Sequence, residues 1–302
     1  MPLLNALTVD VEDYFQVSAF ESYISRDSWD RHESRVEANT EQLLKLFESR
    51  GIQGTFFVLG WTAERLPGLV RRIHAAGHEI ASHSYWHRLV YQLSPQEFRD
   101  DLRRSRDILQ DITGAEVTAH RAPSFSITSQ SLWALEILVE EGFRVDSSIF
   151  PIYHDRYGVP GAPRQLHTID TPAGPLWEFP PTVARMAGFN WPVCGGGYFR
   201  LFPLAWTRYC LDRVNRREGQ PFVFYVHPWE RDPGQPRLGV GSRAARFRHY
   251  VNLSTMQWKL DALLQHFRFG RLCDVVQRRS DQEELSARET LASPRSGGSN
   301  AQ

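Results

Sequence analysis

Gly54-Thr55-Phe56-Phe57-Val58-Leu59, then a helical stretch over 62–76, then Gly77-His78-Glu79-Ile80-Ala81-Ser82-His83 decide the fold of this chain. The first segment is a short apolar run between glycines, which reads as a buried strand. The second has helical periodicity, bent or restarted at Pro67 and stopped by Gly77. The third is a strand again. Strand, helix, strand in so short a span is a parallel βα unit, and the same alternation extends in both directions.

Towards the N-terminus, Leu3-Leu4-Asn5-Ala6-Leu7-Thr8-Val9 predicts a buried strand running into Asp10-Val11-Glu12-Asp13. Residues 36–50, with Leu43, Leu44 and Phe47 before Gly51, predict a helix ending at glycine. Towards the C-terminus, Ser94-Pro95-Gln96-Glu97 is a capping box with proline at the first helical position, predicting a helix to about Ile112. A strand at 116–121, a helix at 129–141 and a strand at 143–147 follow. From 150 to 200 the pattern breaks into Pro- and Gly-rich loops with short strands near 166–169 and 176–180. A helix at 203–217, a strand at 221–226 and a helix at 254–267 complete the α/β pattern. Residues 1–277 read as a single domain, and the polar, Ser- and Gly-rich 278–302 as a disordered tail.

Lys plus Arg and Asp plus Glu both total 35 in 302 residues, so the formal net charge is zero. That balance, with no long basic run, argues against a nucleic-acid or other polyanion binder. Cys194, Cys210 and Cys273 form no C-x-x-C pair and no even-numbered framework, which suits a reducing compartment. Met1 to Thr8 lacks the features of a signal peptide, and no apolar window is long enough to span a membrane. A cytoplasmic location is expected.

Three clusters stand at predicted strand ends, where α/β folds place their sites. The first is Asp10, Glu12 and Asp13, carboxylates that repel one another unless a cation or basic partner lies among them. The second is His83-Ser84-Tyr85-Trp86-His87, whose imidazoles lie four residues apart, the spacing of one helical turn and of a metal site. Spacing alone is weak: with 11 histidines, roughly 0.4 such pairs arise by chance. His74 and His78 share it, but straddle the stop at Gly77. The third is His227, at the end of 221–226. Arg121-Ala122-Pro123-Ser124-Phe125 ends another strand. Two histidines and a carboxylate on separate strand ends make a site with open positions for Zn²⁺, Fe²⁺ or Co²⁺. Metal-assisted hydrolysis of an amide or ester follows. Serine-nucleophile and zincin chemistry are disfavoured, because neither G-x-S-x-G nor H-E-x-x-H occurs.

Thr8-Val9-Asp10-Val11-Glu12-Asp13, Thr55-Phe56-Phe57-Val58, Gly77 through His87, Arg121 through Phe125, and His227 occur in the order of the NodB-homology polysaccharide deacetylases, which this chain resembles over about residues 5–230. Phe224 through Arg237 and Gly195-Gly196-Gly197-Tyr198-Phe199-Arg200 resemble the subfamily of exopolysaccharide loci linked to PEP-CTERM/exosortase (XrtA) systems. This extends the likeness through a C-terminal segment at about 231–277.

The resemblance implies a distorted (β/α)7 barrel that removes acetyl, foremost N-acetyl, groups from sugars of an exopolysaccharide or its precursor, with one divalent ion, Zn²⁺ before Co²⁺ or Fe²⁺. It implies Asp10 as the base, His83 and His87 as metal ligands, Arg121 as the clamp on Asp10, and His227 as the acid. Asp146 is then a charge partner that raises the His227 pKa. The family's paired aspartates are here Asp10-Val11-Glu12-Asp13. Strand alternation favours Glu12 as the carboxylate ligand and residue identity favours Asp13; Asp13 is preferred. Tyr14, Trp86, Phe125 and Trp229 are aromatic candidates for stacking on sugar rings. Two other readings keep the fold: an allantoinase-like amidase acting on a small cyclic amide, and a catalytically silent glycan-binding protein.

Overall fold

The computed structural model describes residues 2–292. In chain order the elements are β1 (Leu4–Val11), α1 (Val36–Ser49), β2 (Thr55–Val58), α2 (Gly60–Arg65), α3 (Pro67–Ala75), β3 (Glu79–Ser82), α4 (Pro95–Thr113), β4 (Ala119–His120), α5 (Trp133–Glu140) and β5 (Val145–Asp146). Then come β6 (His167–Thr171), β7 (Gly174–Glu178), β8 (Val183–Met186), β9 (Phe189–Pro192), α6 (Gly196–Leu201), α7 (Leu204–Arg216), β10 (Val223–Val226), α8 (Arg243–Tyr250), α9 (Leu253–His266), β11 (Arg268–Gly270) and α10 (Leu272–Ala292).

Nine strands form one sheet in the order β10-β1-β2-β3-β4-β5-β7-β6, with β11 joined to the start of β1, and β8 and β9 form a separate antiparallel pair. From β10 to β7 the neighbours pair parallel. Within this sheet only β6, the hairpin partner of β7, runs antiparallel. Beyond β7 the chain crosses to the other edge: Thr182 Oγ1 accepts from Val223 N (2.8 Å), and Tyr225 N donates to Cys194 O (2.7 Å). Gly195 is required there, since its φ is +133° and a Cβ would stand 1.9 Å from the Tyr225 carbonyl oxygen. The architecture is α/β, consistent with a distorted barrel.

Alternation along the strands sorts the side chains. Leu7, Val9 and Val11, Phe56 and Val58, Ile80, and Phe224 and Val226 share one core with helix residues such as Leu43, Phe47, Leu102 and Leu263. Their alternates Ala6, Phe57, Ala81, Ala119, Val145 and Val223 make a second cluster on the opposite face. Small residues dominate this inner line, as the interior of a narrow barrel demands. Continued by two residues, the same line reaches the C-terminal edge of the sheet.

The helix over 62–76 is divided at Leu66, with Pro67 opening α3. The Ser94 side chain accepts from Glu97 N, and Glu97 returns the bond. Six elements have no counterpart in the sequence reading: β8, β9, α6, α8, β11 and α10. Part of the tail expected to be disordered is also different. Residues 278–292 belong to α10, which carries i,i+4 pairs such as Arg279–Glu283 (2.8 Å); such pairs support a polar helix without a packed face. The rest of the tail, 293–302, lies outside the described residues. No helix among the described residues is long and apolar enough to cross a membrane.

Candidate active site

The inner line brings several of the predicted residues to one end of the sheet. Two residues beyond Ala6, Ala81, Ala119 and Val223 come Thr8, His83, Arg121 and Tyr225; Asp10 and Glu12 continue β1, and His227 continues β10. All reach the same end of the parallel sheet, and Asp10, Glu12, His83, His87 and His227 line one cavity of about 200 Å³.

Glu12, His83 and His87 each offer a ligand atom within 4.8 Å of the others, and all three side chains are buried. His83 Nδ1 donates to the Arg121 carbonyl (2.8 Å), which leaves Nε2 as its free lone pair. His87 Nε2 is 2.7 Å from Glu12 Oε2. Beyond that contact Glu12 Oε2 is buried with no further hydrogen-bond partner, an arrangement that suits a cation. Burial works to raise the Glu12 carboxyl, but the charge and hydrogen bond of His87 override it and hold it down at about 2. Burial pushes His83 down to about 4, so its ring is neutral, as metal ligation requires. Two nitrogens and one oxygen fit a divalent transition ion.

The preference for Asp13 is overturned. Its Oδ2 accepts from Ser34 Oγ (2.9 Å), Arg35 N (2.8 Å) and Val36 N (3.1 Å), and its Oδ1 accepts from Tyr14 N (3.0 Å). It caps the start of α1 from a distant part of the chain. Alternation decided the matter, because Glu12 stands on the Asp10 face and Asp13 does not.

His83 to His87 is no helical turn, contrary to the spacing argument. The segment is irregular, with positive φ at Ser84 (63°) and His87 (52°), conformations costing on the order of 1 kcal/mol each and held by their surroundings. Asp101 of α4 does much of the holding: its carboxylate accepts from Tyr85 N (2.6 Å) and Trp86 N (3.2 Å). Gly60 and Trp61 donate backbone N–H bonds to the carbonyls of Ser84 and Tyr85. Gly60 must lack a Cβ, which would meet the Tyr85 ring at 2.7 Å. Asp101 escaped the sequence reading because a lone acid on a helix face looks solvated.

On one side of the cluster lies Asp10, whose Oδ1 accepts from Arg121 Nη1 (2.7 Å). Arg121 is fully buried and also donates to Thr8 Oγ1 (2.8 Å), Ser147 Oγ (2.9 Å) and Ser147 O (3.2 Å), with its guanidinium 4.2 Å over the Phe57 ring. Both ends of the ion pair are thus fixed. On the other side lies His227, with Nε2 3.6 Å from Glu12 Oε1 and 3.9 Å from Asp10 Oδ2. Its Nδ1 is 3.1 Å from Glu230 Oε2, which also accepts from its backbone N–H (3.0 Å). Burial would lower the His227 pKa, but Glu230, Glu12 and Asp10 raise it to about 9. Glu230 accepts from Arg200 Nε (2.8 Å) as well.

Glu230 therefore fills the role expected of Asp146. Asp146 Oδ1 instead takes His120 Nδ1 (2.9 Å) and Ser148 Oγ (2.7 Å). It stands on β5, paired in register with His120 of β4 and Glu178 of β7. The signal for Glu230 was present in the sequence: a glutamate three residues after a strand-end histidine and proline is a capping-box pattern.

Of the aromatic candidates, Phe125 and Trp229 line the cavity and Tyr14 and Trp86 do not. Tyr14 is packed edge-on against Phe15, and Trp86 lies against Tyr85 and Trp29. Trp229 stacks between His227 and His249, with its Nε1 donating to Glu12 Oε1 (3.2 Å). Its ring orients the cluster rather than lying open to a sugar.

The fold and site together define an α/β barrel-like protein with a buried carboxylate–imidazole–imidazole centre. The family model described as polysaccharide deacetylase matches residues 27–140, and one described as a domain of unknown function (DUF3473) matches 147–277. Over 126 residues the chain is 29% identical to a peptidoglycan deacetylase of Helicobacter pylori, covering 40% of this chain and 42% of that protein. Over 98 residues it is 32% identical to a peptidoglycan-N-acetylglucosamine deacetylase of Bacillus cereus, covering 32% and 36%. The aligned part spans less than half of either relative. The polysaccharide deacetylase family is supported by the family model and by these relatives. Among solved structures, a putative polysaccharide deacetylase from Mycobacterium smegmatis superposes with a TM-score of 0.58 at 19% identity, covering 100% of this chain and 97% of that one. Puue allantoinase superposes at 0.57 and 16%, covering 91% and 89%. Both show a shared fold.

Proposed function

We propose that this protein is a metal-dependent deacetylase that removes acetyl groups, foremost N-acetyl, from sugars of an exopolysaccharide or its precursor. One observation carries the reading: the buried Glu12, His83 and His87 cluster lies in one cavity between an arginine-clamped carboxylate, Asp10, and a carboxylate-backed imidazole, His227. Glu12, His83 and His87 would hold the ion, Zn²⁺ before Co²⁺ or Fe²⁺. Bound there, the ion would polarise a carbonyl oxygen and acidify water.

The chain's own residues supply the rest. Asp10 has Oδ1 committed to Arg121, so Oδ2 is the oxygen left to take a proton from the attacking water. His227, with Nδ1 turned to Glu230, carries a proton at Nε2 towards the leaving nitrogen. Water adds to the acetyl carbon, the C–N bond breaks, and acetate and a free amine leave. Phe125 and Tyr225 at the cavity wall exclude water from one side. The subfamily strings at 195–200 and 224–237 support the exopolysaccharide assignment, and three cysteines without a disulfide suit the cytoplasm.

Acetate release from an acetylated oligosaccharide, measured beside metal content, tests the reading. Asp10→Asn should retain the metal and lose about 100-fold or more in kcat, the range of a general base. His83→Ala should lose both metal and turnover. Turnover of allantoin without acetate release from any glycan would reject the assignment.

A further inference from the structure

The cavity is charged oppositely at its floor and along one wall. At the floor each carboxylate is engaged: Asp10 by Arg121, Glu12 by His87 and Trp229, Glu230 by His227 and Arg200. The wall carries Arg156 and Arg248, which line the same cavity. Among the described residues neither guanidinium has a hydrogen-bonded or ion-paired partner. Asp155, next to Arg156 in the chain, pairs with His154 Nδ1 (2.9 Å) and is 74% exposed.

The wall is also a built one. Arg200, 2% exposed, donates to the backbone carbonyls of Arg248 (3.0 Å), His249 (2.8 Å) and Val251 (2.9 Å) while its Nε holds Glu230. The end of α8 that bears Arg248 is therefore tied, through Arg200 and Glu230, to His227. Arg156 is placed by a stretch whose Tyr157 stacks on His154 (ring centroids 3.8 Å apart) and on Phe150 (5.8 Å). Two unpaired guanidiniums lining one cavity, Arg248 exposed and Arg156 half-buried, suit a planar or tetrahedral oxyanion.

We infer that the substrate is an anionic glycan: while the acetylated sugar sits over Glu12, His83 and His87, Arg156 and Arg248 hold a carboxylate or phosphate borne on a neighbouring part of the same chain. The inference rests on the deacetylase reading and adds the substrate class to it. It also assigns a role to residues 147–277, which supply both arginines and their supports. The zero net charge of the whole chain does not oppose it, since recognition depends on where the charges stand.

The test compares acetate release by the metal-loaded enzyme from three oligosaccharides. One is a neutral N-acetylglucosamine tetramer, one alternates N-acetylglucosamine with glucuronate, and one is a phosphate-substituted N-acetylglucosamine oligomer. At low salt, kcat/KM for one charged substrate should exceed that for the neutral one by about tenfold or more, carried by KM. The charged substrate that gains names the anion. In Arg156→Gln, Arg248→Gln and the double variant, that advantage should shrink about tenfold, and added salt should erode it in the wild type. Equal use of all three substrates, or an advantage indifferent to both arginines, overturns the inference. Calorimetric binding of a non-acetylated glucuronate oligomer and of a phosphorylated glucosamine oligomer separates the two readings. Arginine-dependent binding of either without acetate release from any substrate rejects the deacetylase and leaves only the anion site at Arg156 and Arg248; no binding of either, without release, rejects both.

Discussion

Asp10, Glu12 and Asp13 stand within four positions and do three different things. Asp10 is paired with Arg121, Glu12 faces two imidazoles, and Asp13 caps α1. Substitution should separate them. Glu12→Gln should abolish stoichiometric metal binding, whereas Asp13→Ala should keep the metal and lower stability by about 0.5–2 kcal/mol, the value of a helix cap. Metal analysis beside thermal unfolding reads both, and loss of metal in Asp13→Ala would return that residue to the ligand set. Away from the site, buried His78 has its Nδ1 accepting from Gly54 N (3.0 Å), and burial pushes its pKa down to about 4. A depressed histidine favours the neutral form, so its contribution is present above pH 6.5 and is lost as pH falls towards about 4. Asparagine can offer an acceptor at the Nδ1 position without titrating. His78→Asn should therefore flatten the fall of Tm between pH 6.5 and 4; an unchanged slope would show that His78 does not carry it.

Among the elements, the loop from His83 to His87 shows how a metal-ligand spacing is realised without a helix. Its positive φ values persist because Asp101, carried on α4, binds two of its backbone N–H groups. Removing the carboxylate leaves those donors unpaired, at a cost of about 1–3 kcal/mol. Asp101→Ala should thus weaken metal affinity although the residue touches no ligand atom, and calorimetric titration of Zn²⁺ measures it. An affinity equal to wild type would mean that the loop holds itself. A similar division of labour appears at β10, where Glu230 and Arg200 orient His227 from the segment that follows the strand.

Across the whole molecule, the N-terminal strand, the region matching the deacetylase model and the region of DUF3473 build one site. Asp10 and Glu12 precede both matched regions; His83, His87 and Arg121 lie in the first, and His227 with Glu230 in the second. They share one core, in which Leu7, Leu102 and Phe224 belong to a single cluster. A cation bound by such a site ties the parts together. Saturation at 100 times Kd would add about 2.7 kcal/mol to stability, so chelation should lower Tm and restored Zn²⁺ should recover it. A Tm indifferent to chelator would argue against an ion in the folded protein.

Strand and helix order and the α/β class were legible in the sequence, as was the arrival of Asp10, His83, Arg121 and His227 at strand ends, because periodicity, glycine stops and a capping box are local properties. That Glu12 rather than Asp13 faces the two imidazoles was legible too, in the alternation along β1, but residue identity outweighed it. The partners were not legible: Asp101 for the histidine loop, Glu230 rather than Asp146 for His227, and Arg156 and Arg248 for the cavity wall. Nor were the β8–β9 hairpin and α6, set among loop-like residues. Local sequence determines which side chains reach the end of each strand, since a strand's faces alternate regardless of context. Which side chains then meet, and which charges are left unpaired, depends on contacts between segments tens to hundreds of residues apart, and only the folded sheet brings those together.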